Sequence, residues 1–358
     1  MNAPFKPAIP TIRLADLCDP DEFARLERFV AEHPEGTPFH RPTWLSATAR
    51  GTGNVALALV AERGREVSAY LPLTEAHSPL FGRVMASSGF GVGGGILAVD
   101  DRAGKLLLGA AEELAQRRSC PAIELRGGLL PKARAGWKVR QDSHLGFVVP
   151  LAADDEEQLN WIPRKQRAEV RKGLANELEI TVGSGPEDRA AHYAVYAESV
   201  RNLGTPVFPR ALFAAVLDAF GEGADILTVW SQDKPVASVL SLYHNGAVMP
   251  YWGGGTSAAR RLRANDRMYF ELMLHARRRG CTRFDFGRSK TGSGAANFKK
   301  NWGFEGEPLG YASWTAPGTK PRNADPTSAS HLAKIELWKR LPLSLTKLIG
   351  PHIARGLV

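Results

Sequence analysis

The chain has 358 residues, 44% hydrophobic and 23% charged, with a formal net charge of +9 and a pI near 9.6. That length favours two domains, and the composition is that of a soluble globular protein with apolar material for real cores. Three distant cysteines, Cys18, Cys120 and Cys281, support neither a disulfide framework nor a zinc cluster and read as buried free thiols of a reducing compartment.

At the N-terminus, "MNAPFKPAIP" carries no apolar leader segment. No run approaches the ~20 apolar residues that span a bilayer, so the expected place is the cytoplasm. The basic excess suits an anionic partner, whether nucleotide, RNA or membrane surface, and selects none of them.

Next comes an internal repeat. "VAERGREVSAYLPL" (Val60 to Leu73) aligns without a gap to "VWSQDKPVASVLSL" (Val229 to Leu242). Each predicts a hairpin, turning at Arg63-Gly64-Arg65 or at Gln232-Asp233-Lys234. "AQRRSCPAIELRGG" (Ala115 to Gly128) aligns in the same way to "ARRRGCTRFDFGRS" (Ala276 to Ser289), and Cys120 falls on Cys281. Each predicts a basic helix end, a turn and a buried strand. Glycine-rich runs, "GFGVGGG" and "YWGGG", lie between the paired blocks. The chain therefore reads as α/β, two copies of one unit: a hairpin, a further strand, a helix and a final strand.

The first copy's helix places Leu106, Ala110 and Leu114 near one face, with Asp100 or Asp101 as N-cap. The second places Met268, Leu272 and Ala276 together, with Asn265 or Asp266 as N-cap. Between the copies, the segment after Pro163 predicts a basic amphipathic helix with Arg164, Lys165, Arg167, Arg171 and Lys172. A further helix ends near Gly204. After Tyr311 the run "APGTKPRNADPTSAS" reads as a linker. The tail then sets Leu332, Ile335, Trp338, Leu341, Leu343, Leu345, Leu348 and Ile349 among Lys334, Lys339, Arg340 and Lys347. That pattern fits an interfacial membrane anchor, and it fits equally a helix packed on the body. The expected boundaries are 1–153, 154–315 and 316–358.

Anion-binding chemistry concentrates in the second copy. "GRSKTGSGAANFKKNWGF" follows a strand, with Arg288, Lys290, Lys299 and Lys300 around a turn of bare amides. It satisfies no Walker pattern, and no run of suitable helical pattern follows it. The second main helix is preceded by Arg260, Arg261 and Arg263, where amides and dipole attract anions. The first has Asp100 and Asp101 there, which repel them. A phosphate-bearing ligand is therefore expected in the second copy.

These residues carry a family resemblance. "WIPRKQRAEVRKG", "ESVRNLGTPVFP", "RANDRMYFELMLHARRRGCTRFDFGRS" and "NFKKNWGFEGEPLGY" resemble the FemAB-like branch associated with exosortase/PEP-CTERM systems of exopolysaccharide-producing bacteria. The likeness covers about Phe39 to Tyr311. It implies two tandem GNAT-type acyltransferase units, each a mixed twisted sheet flanked by helices and splayed at its centre. It also implies transfer of an acyl or aminoacyl group to an amine, with acyl-CoA or aminoacyl-tRNA as co-substrate and no tightly bound cofactor or metal. The GNAT carrier pyrophosphate lies behind a Q/R-x-x-G-x-G/A pattern; the matching place here reads "RRLRAN", without glycines.

Asp285, opposite Phe284 and Phe286 on its strand, is the candidate base or amine orienter, or else a buried carboxylate paired with arginine. Lys299 matches the family's Phe-Lys motif and is the candidate for stabilising carbonyl charge, or else a solvated loop lysine. Arg260, Arg263, Asn265, Arg288, Ser289 and Lys290 are candidate binders of substrate or carrier. Tyr251 and Trp302 either line the acceptor pocket or belong to the core. His40, His144, His192 and His244 read as structural or surface residues. The acceptor is expected to be a small-molecule or glycan amine, with tRNA and the inner membrane face as further partners. A non-catalytic protein binding a nucleotide, tRNA or lipid-linked glycan is the alternative.

Overall fold

The structure, a computed structural model, describes residues 9–322 and 329–358, with the side chains of 329–332 left aside. The segment "MNAPFKPA", the linker's "NADPTS" and the Leu332 side chain lie outside the described residues.

The elements run, in chain order, β1 (Thr11–Leu14), α1 (Pro20–Glu32), α2 (Pro42–Thr52), β2 (Val55–Arg63), β3 (Glu66–Ser78), β4 (Gly82–Ser87), β5 (Leu97–Ala98), α3 (Asp101–Arg117), β6 (Ala122–Arg126) and β7 (Trp137–Pro150). Then follow α4 (Asp155–Trp161), α5 (Arg164–Ala175), β8 (Glu179–Gly183), α6 (Pro186–Leu203), α7 (Arg210–Phe220), β9 (Ala224–Ser231), β10 (Lys234–His244) and β11 (Ala247–Gly255). The remainder is α8 (Ala259–Leu262), α9 (Ala264–Arg278), β12 (Arg283–Lys290), α10 (Gly294–Asn301), β13 (Glu307–Thr315), α11 (Ala329–Arg340) and α12 (Leu343–Ala354).

The chain divides into two compact units. The first runs to Arg140 and includes the returning segment from Gly310. The second holds Gln141–Leu309 and the last two helices up to Leu357. This division differs from boundaries at 153/154 and 315/316, because two strands serve the sheet of the unit they do not follow in sequence. In the first unit, β6 pairs antiparallel with the β13 residues Tyr311 to Thr315. In the second, β12 pairs antiparallel with the β7 residues His144 to Pro150. A linear reading of composition carries no sign of such an exchange.

Within each unit the repeat is plain. Both hairpins close with a tight turn in which one residue takes positive φ, Gly64 at 64° and Gln232 at 55°. The next strand pairs parallel with the strand after the main helix over two positions only. These are Met85↔Ile123 and Ala86↔Glu124 in one unit, Ala247↔Arg283 and Val248↔Phe284 in the other. Beyond those pairs β11 runs on to Gly255 without a β12 partner, so the second sheet splays at its centre. Each unit is a mixed sheet flanked by helices.

The cores follow the amphipathic patterns with one correction. In α9, Met268, Leu272 and Ala276 are fully buried. In α3 the buried stripe is Ala103, Leu107, Ala111 and Leu114, one position on from the Leu106–Ala110 face. Leucines at 106, 107 and 108 allow several stripes, and packing selects among them. Cys120 and Cys281 are buried as expected; Cys18 is exposed, in the turn before α1, where no core is at hand.

Candidate active site

At the start of α9 in the second unit lies a cavity of about 900 Å³. Four cations line it: Lys165 from α5, Arg260 from α8, Arg263 at the N-cap of α9, and Lys300 from α10. Asn265, Gln166 and Asn301 add polar groups, and Phe298 an apolar wall. Two carboxylates are present but engaged. Glu169 pairs with Arg263 at 2.6 Å and accepts from Lys172 at 2.8 Å. Its hydrogen bond to Lys172 and the nearby cations hold its pKa below the usual carboxylate range. Asp266 accepts from Gln166 Nε2 at 2.6 Å, and burial raises its pKa.

The start of α9 is built differently from the sequence expectation. Neither Asn265 nor Asp266 is the N-cap. That position is Arg263, at φ 54° and without a side-chain cap bond. A non-glycine residue in the left-handed region is uncommon. The position is the first glycine of the Q/R-x-x-G-x-G/A pattern when Arg260 opens it. The backbone takes a left-handed conformation that glycine adopts readily, and the residue lines the cavity with a guanidinium. The missing glycine is visible in the sequence; the left-handed φ of Arg263 is not.

In the first unit the matching glycine-rich loop and helix start make their own internal contacts. The Phe39 ring is fully buried, the Ser88 hydroxyl donates to the Phe39 carbonyl, and Trp44 Nε1 donates to Gly89 O at 3.1 Å. Asp100 caps α3 through Ala103 N at 2.8 Å and pairs with Arg63 at 2.6 Å. Both bonds and the Arg63 charge lower its pKa. The cationic cavity lies at the second unit's helix start, while the first unit has the paired Asp100 at its own.

A second group forms where β12 meets α10. Against β7 the register of β12 slips between Asp285 and Arg288, leaving a bulge at Gly287, with φ at 66°. Asp285 Oδ1 accepts from Gly287 N at 2.8 Å across this bulge. Burial raises the Asp285 pKa, opposed by that bond and by Lys299 and Arg283. Lys299 Nζ donates to the carbonyls of Gly287 at 3.1 Å and Arg288 at 2.9 Å. It lies over the rings of Phe147 and Phe286 at 5.2 and 5.4 Å. Burial pushes its pKa down to about 8, with the Arg288 charge acting the same way and Asp285 opposing.

Lys299 is thus buried, 8% exposed, and not a solvated loop lysine. The reason is α10, a helix that the glycine-rich run conceals. Ser293 caps it through Ala296 N at 3.2 Å, and Ala296 and Lys299 form its inner face. The signal was Ser293 followed, after Gly294, by Ala-Ala-Asn-Phe-Lys-Lys, an N-cap before residues mostly of good helix propensity.

The predicted residues fall into four places. Arg260, Arg263 and Asn265 line the cavity. Asp285, Arg288, Ser289, Lys290 and Lys299 belong to β12 and α10; Ser289 is buried, and Arg288 and Lys290 are half-buried. Tyr251 is the bulge residue of β11, between Pro250 paired to Ser241 and Trp252 paired to Leu240. Its ring lies 5.0 Å from that of Trp252. Trp302 is fully buried and belongs to the core, because α10 turns it inward against Tyr269 and Phe298. His192 is also a core residue, its Nδ1 3.1 Å from Ser238 Oγ and its pKa pushed down by burial to about 3. Gln166, Phe298 and Asn301 are lining residues that sequence reasoning missed.

Residues 163–300, which hold the predicted site residues and the cavity lining except Trp302 and Asn301, match the model of the acetyltransferase (GNAT) domain. No curated protein matches the chain in sequence. Among solved structures, FemX superposes with a TM-score of 0.65 at 18% identity, covering 82% of this chain and 96% of that one. L-PGS from Bacillus licheniformis superposes at 0.54 with 14% identity, covering 93% and 97%. A tandem GNAT protein from the clavulanic acid biosynthesis pathway superposes at 0.55 with 12% identity, covering 86% and 100%. At these identities the likeness is one of fold, and the fold is a tandem GNAT fold.

Proposed function

We propose that this GNAT-type protein transfers an acyl or aminoacyl group from an anionic carrier, acyl-CoA or aminoacyl-tRNA, to an amine. The observation that carries the reading is the cavity at α9, where four cations meet a helix N-terminus beside the buried Lys299 group. A carrier phosphate fits Arg260, Arg263 and Lys300, and Phe298 offers an apolar wall to the part of the carrier nearer the reacting carbonyl. The amine nitrogen attacks that carbonyl carbon and forms the C–N bond. The C–S or C–O bond to the carrier breaks, and the amine proton leaves with the carrier or to water. Charge collects on the carbonyl oxygen meanwhile. Lys299, with two N–H bonds held by the Gly287 and Arg288 carbonyls, has a third for that oxygen.

Asp285 acts by holding the bulge that presents those two carbonyls. Asp285→Asn keeps an oxygen to accept from Gly287 N, whereas Asp285→Ala does not. The expected result is that Asn stays within about tenfold of the parent rate while Ala loses about a hundredfold, the difference between keeping and losing the arrangement. Without the carboxylate charge, the Lys299 pKa also drops further in the Asn variant. Equal loss in both variants would make Asp285 the proton acceptor instead.

The acceptor we favour is a small-molecule or glycan amine of the cell envelope, consistent with the resemblance to the exosortase-associated, exopolysaccharide-linked branch. The reaction is then placed on the cytoplasmic side. A thermal-shift panel of acyl-CoAs, aminoacyl-tRNAs and nucleotide sugars tests the reading. One of the first two classes raises the melting temperature and yields an acylated amine on addition of acceptor. Stabilisation by a nucleotide sugar alone, with no transfer, would make the protein a binder.

A further inference from the structure

We infer that the outward faces of α11 and α12 dock on an anionic bilayer surface. The inference is independent of the transferase reading. Both helices rest on α6 and the turn after it, within the second unit. Gly204, at φ 80°, ends α6 where any side chain would meet Ile335 and Lys339 of α11. Arg201 Nη1 donates to the Lys339 carbonyl at 3.2 Å, and Gly350 of α12 faces Val207. This packing accounts for Ile335, Thr346, Gly350 and Ala354. It does not account for Leu337, 64% exposed, or for Leu345 and Leu348, 39% and 69% exposed. Leu203, next to the Gly204 contact, is 70% exposed.

Charge chooses the occupant. The described side chains of the two helices carry Lys334, Lys339, Arg340 and Lys347 against Glu336 alone, with Arg355 following at the end of α12, and Glu336 pairs with Lys339 at 2.6 Å. Lysines are depleted from the cores of protein interfaces. Leucines interleaved with lysine and arginine on a face turned from the protein body suit a headgroup layer. The leucines enter the acyl boundary and the cations meet phosphate. No helix among the described residues is long and apolar enough to cross a membrane, so the contact is one of lying on the surface.

The test is cosedimentation of the full chain with vesicles of phosphatidylcholine alone and of equal parts phosphatidylcholine and phosphatidylglycerol. The chain is expected to sediment with the mixed vesicles, not with the neutral ones, and less so as salt rises. Leu337→Glu with Leu348→Glu lowers the partition by at least about tenfold, since two apolar side chains leave the interface. Its circular dichroism stays unchanged, as both positions are exposed. Lys334→Glu with Lys347→Glu removes the salt-sensitive part and decides the matter should the leucine variant misfold. The proposal fails if no binding occurs at low salt or if parent and both variants sediment alike. It fails also if the leucine face proves to hold a second copy, seen as a concentration-dependent dimer that the leucine variant abolishes.

Discussion

Lys299→Met lowers the transfer rate by about a hundredfold to a thousandfold, the scale of losing one preorganised oxyanion donor. Donor affinity changes little, because the Lys299 ammonium is directed to the Gly287 and Arg288 carbonyls and Lys299 is not among the cavity-lining residues. The pH profile gives the stronger test. With a pKa of about 8, Lys299 loses its charge at a pH where ordinary lysines keep theirs. If the ammonium form stabilises the oxygen, turnover at saturating substrate falls as pH rises through about 8. The acceptor amine, which must be neutral to attack, sets the acid limb. Lys299→Arg then has a low rate but no alkaline limb near 8, because a guanidinium stays charged. A rate that instead climbs through the same pH, with Met and Arg equally inactive, would mean that neutral Lys299 takes a proton.

Reversing two cavity charges, Arg260→Glu with Lys300→Glu, weakens carrier binding by about a hundredfold at low salt, as two charge-assisted contacts turn repulsive. Both side chains are exposed and neither belongs to a core, so folding is undisturbed. The loss shrinks as salt rises. It appears in Kd or KM with kcat nearly unchanged, the inverse of the Lys299 pattern. Arg263 is the poorer probe, because its left-handed backbone and its Glu169 pair shape the start of α9. An unchanged affinity in the double variant would move the carrier elsewhere.

Much of this architecture was legible because duplication repeats a pattern. Two ungapped hairpins, a cysteine at the same step before each final strand and glycine runs in matching places gave the units and their order. The charge contrast between Asp100–Asp101 and Arg260–Arg263 pointed to the second unit. What stayed hidden depends on three-dimensional context. The exchange of β7 and β13 leaves no mark in composition. Helix α10 begins at a glycine and was masked by the run before it. Arg263 adopts a conformation that propensity assigns to glycine, and its backbone angle cannot be read from neighbours. The burial of Lys299 follows from α10 turning one lysine of the Lys299–Lys300 pair inward and the other to the cavity, which the sequence alone leaves undecided.

Hydrogen exchange of the full chain, with and without saturating acetyl-CoA or aminoacyl-tRNA, addresses the asymmetry between the two units most directly. The expected result is protection at Thr256 to Asp266 and along α10 with one of the two carriers, while Ser88 to Gly95 exchanges as before. Protection of the Ser88–Gly95 loop in place of the α9 start, or of neither region with either carrier, would contradict it.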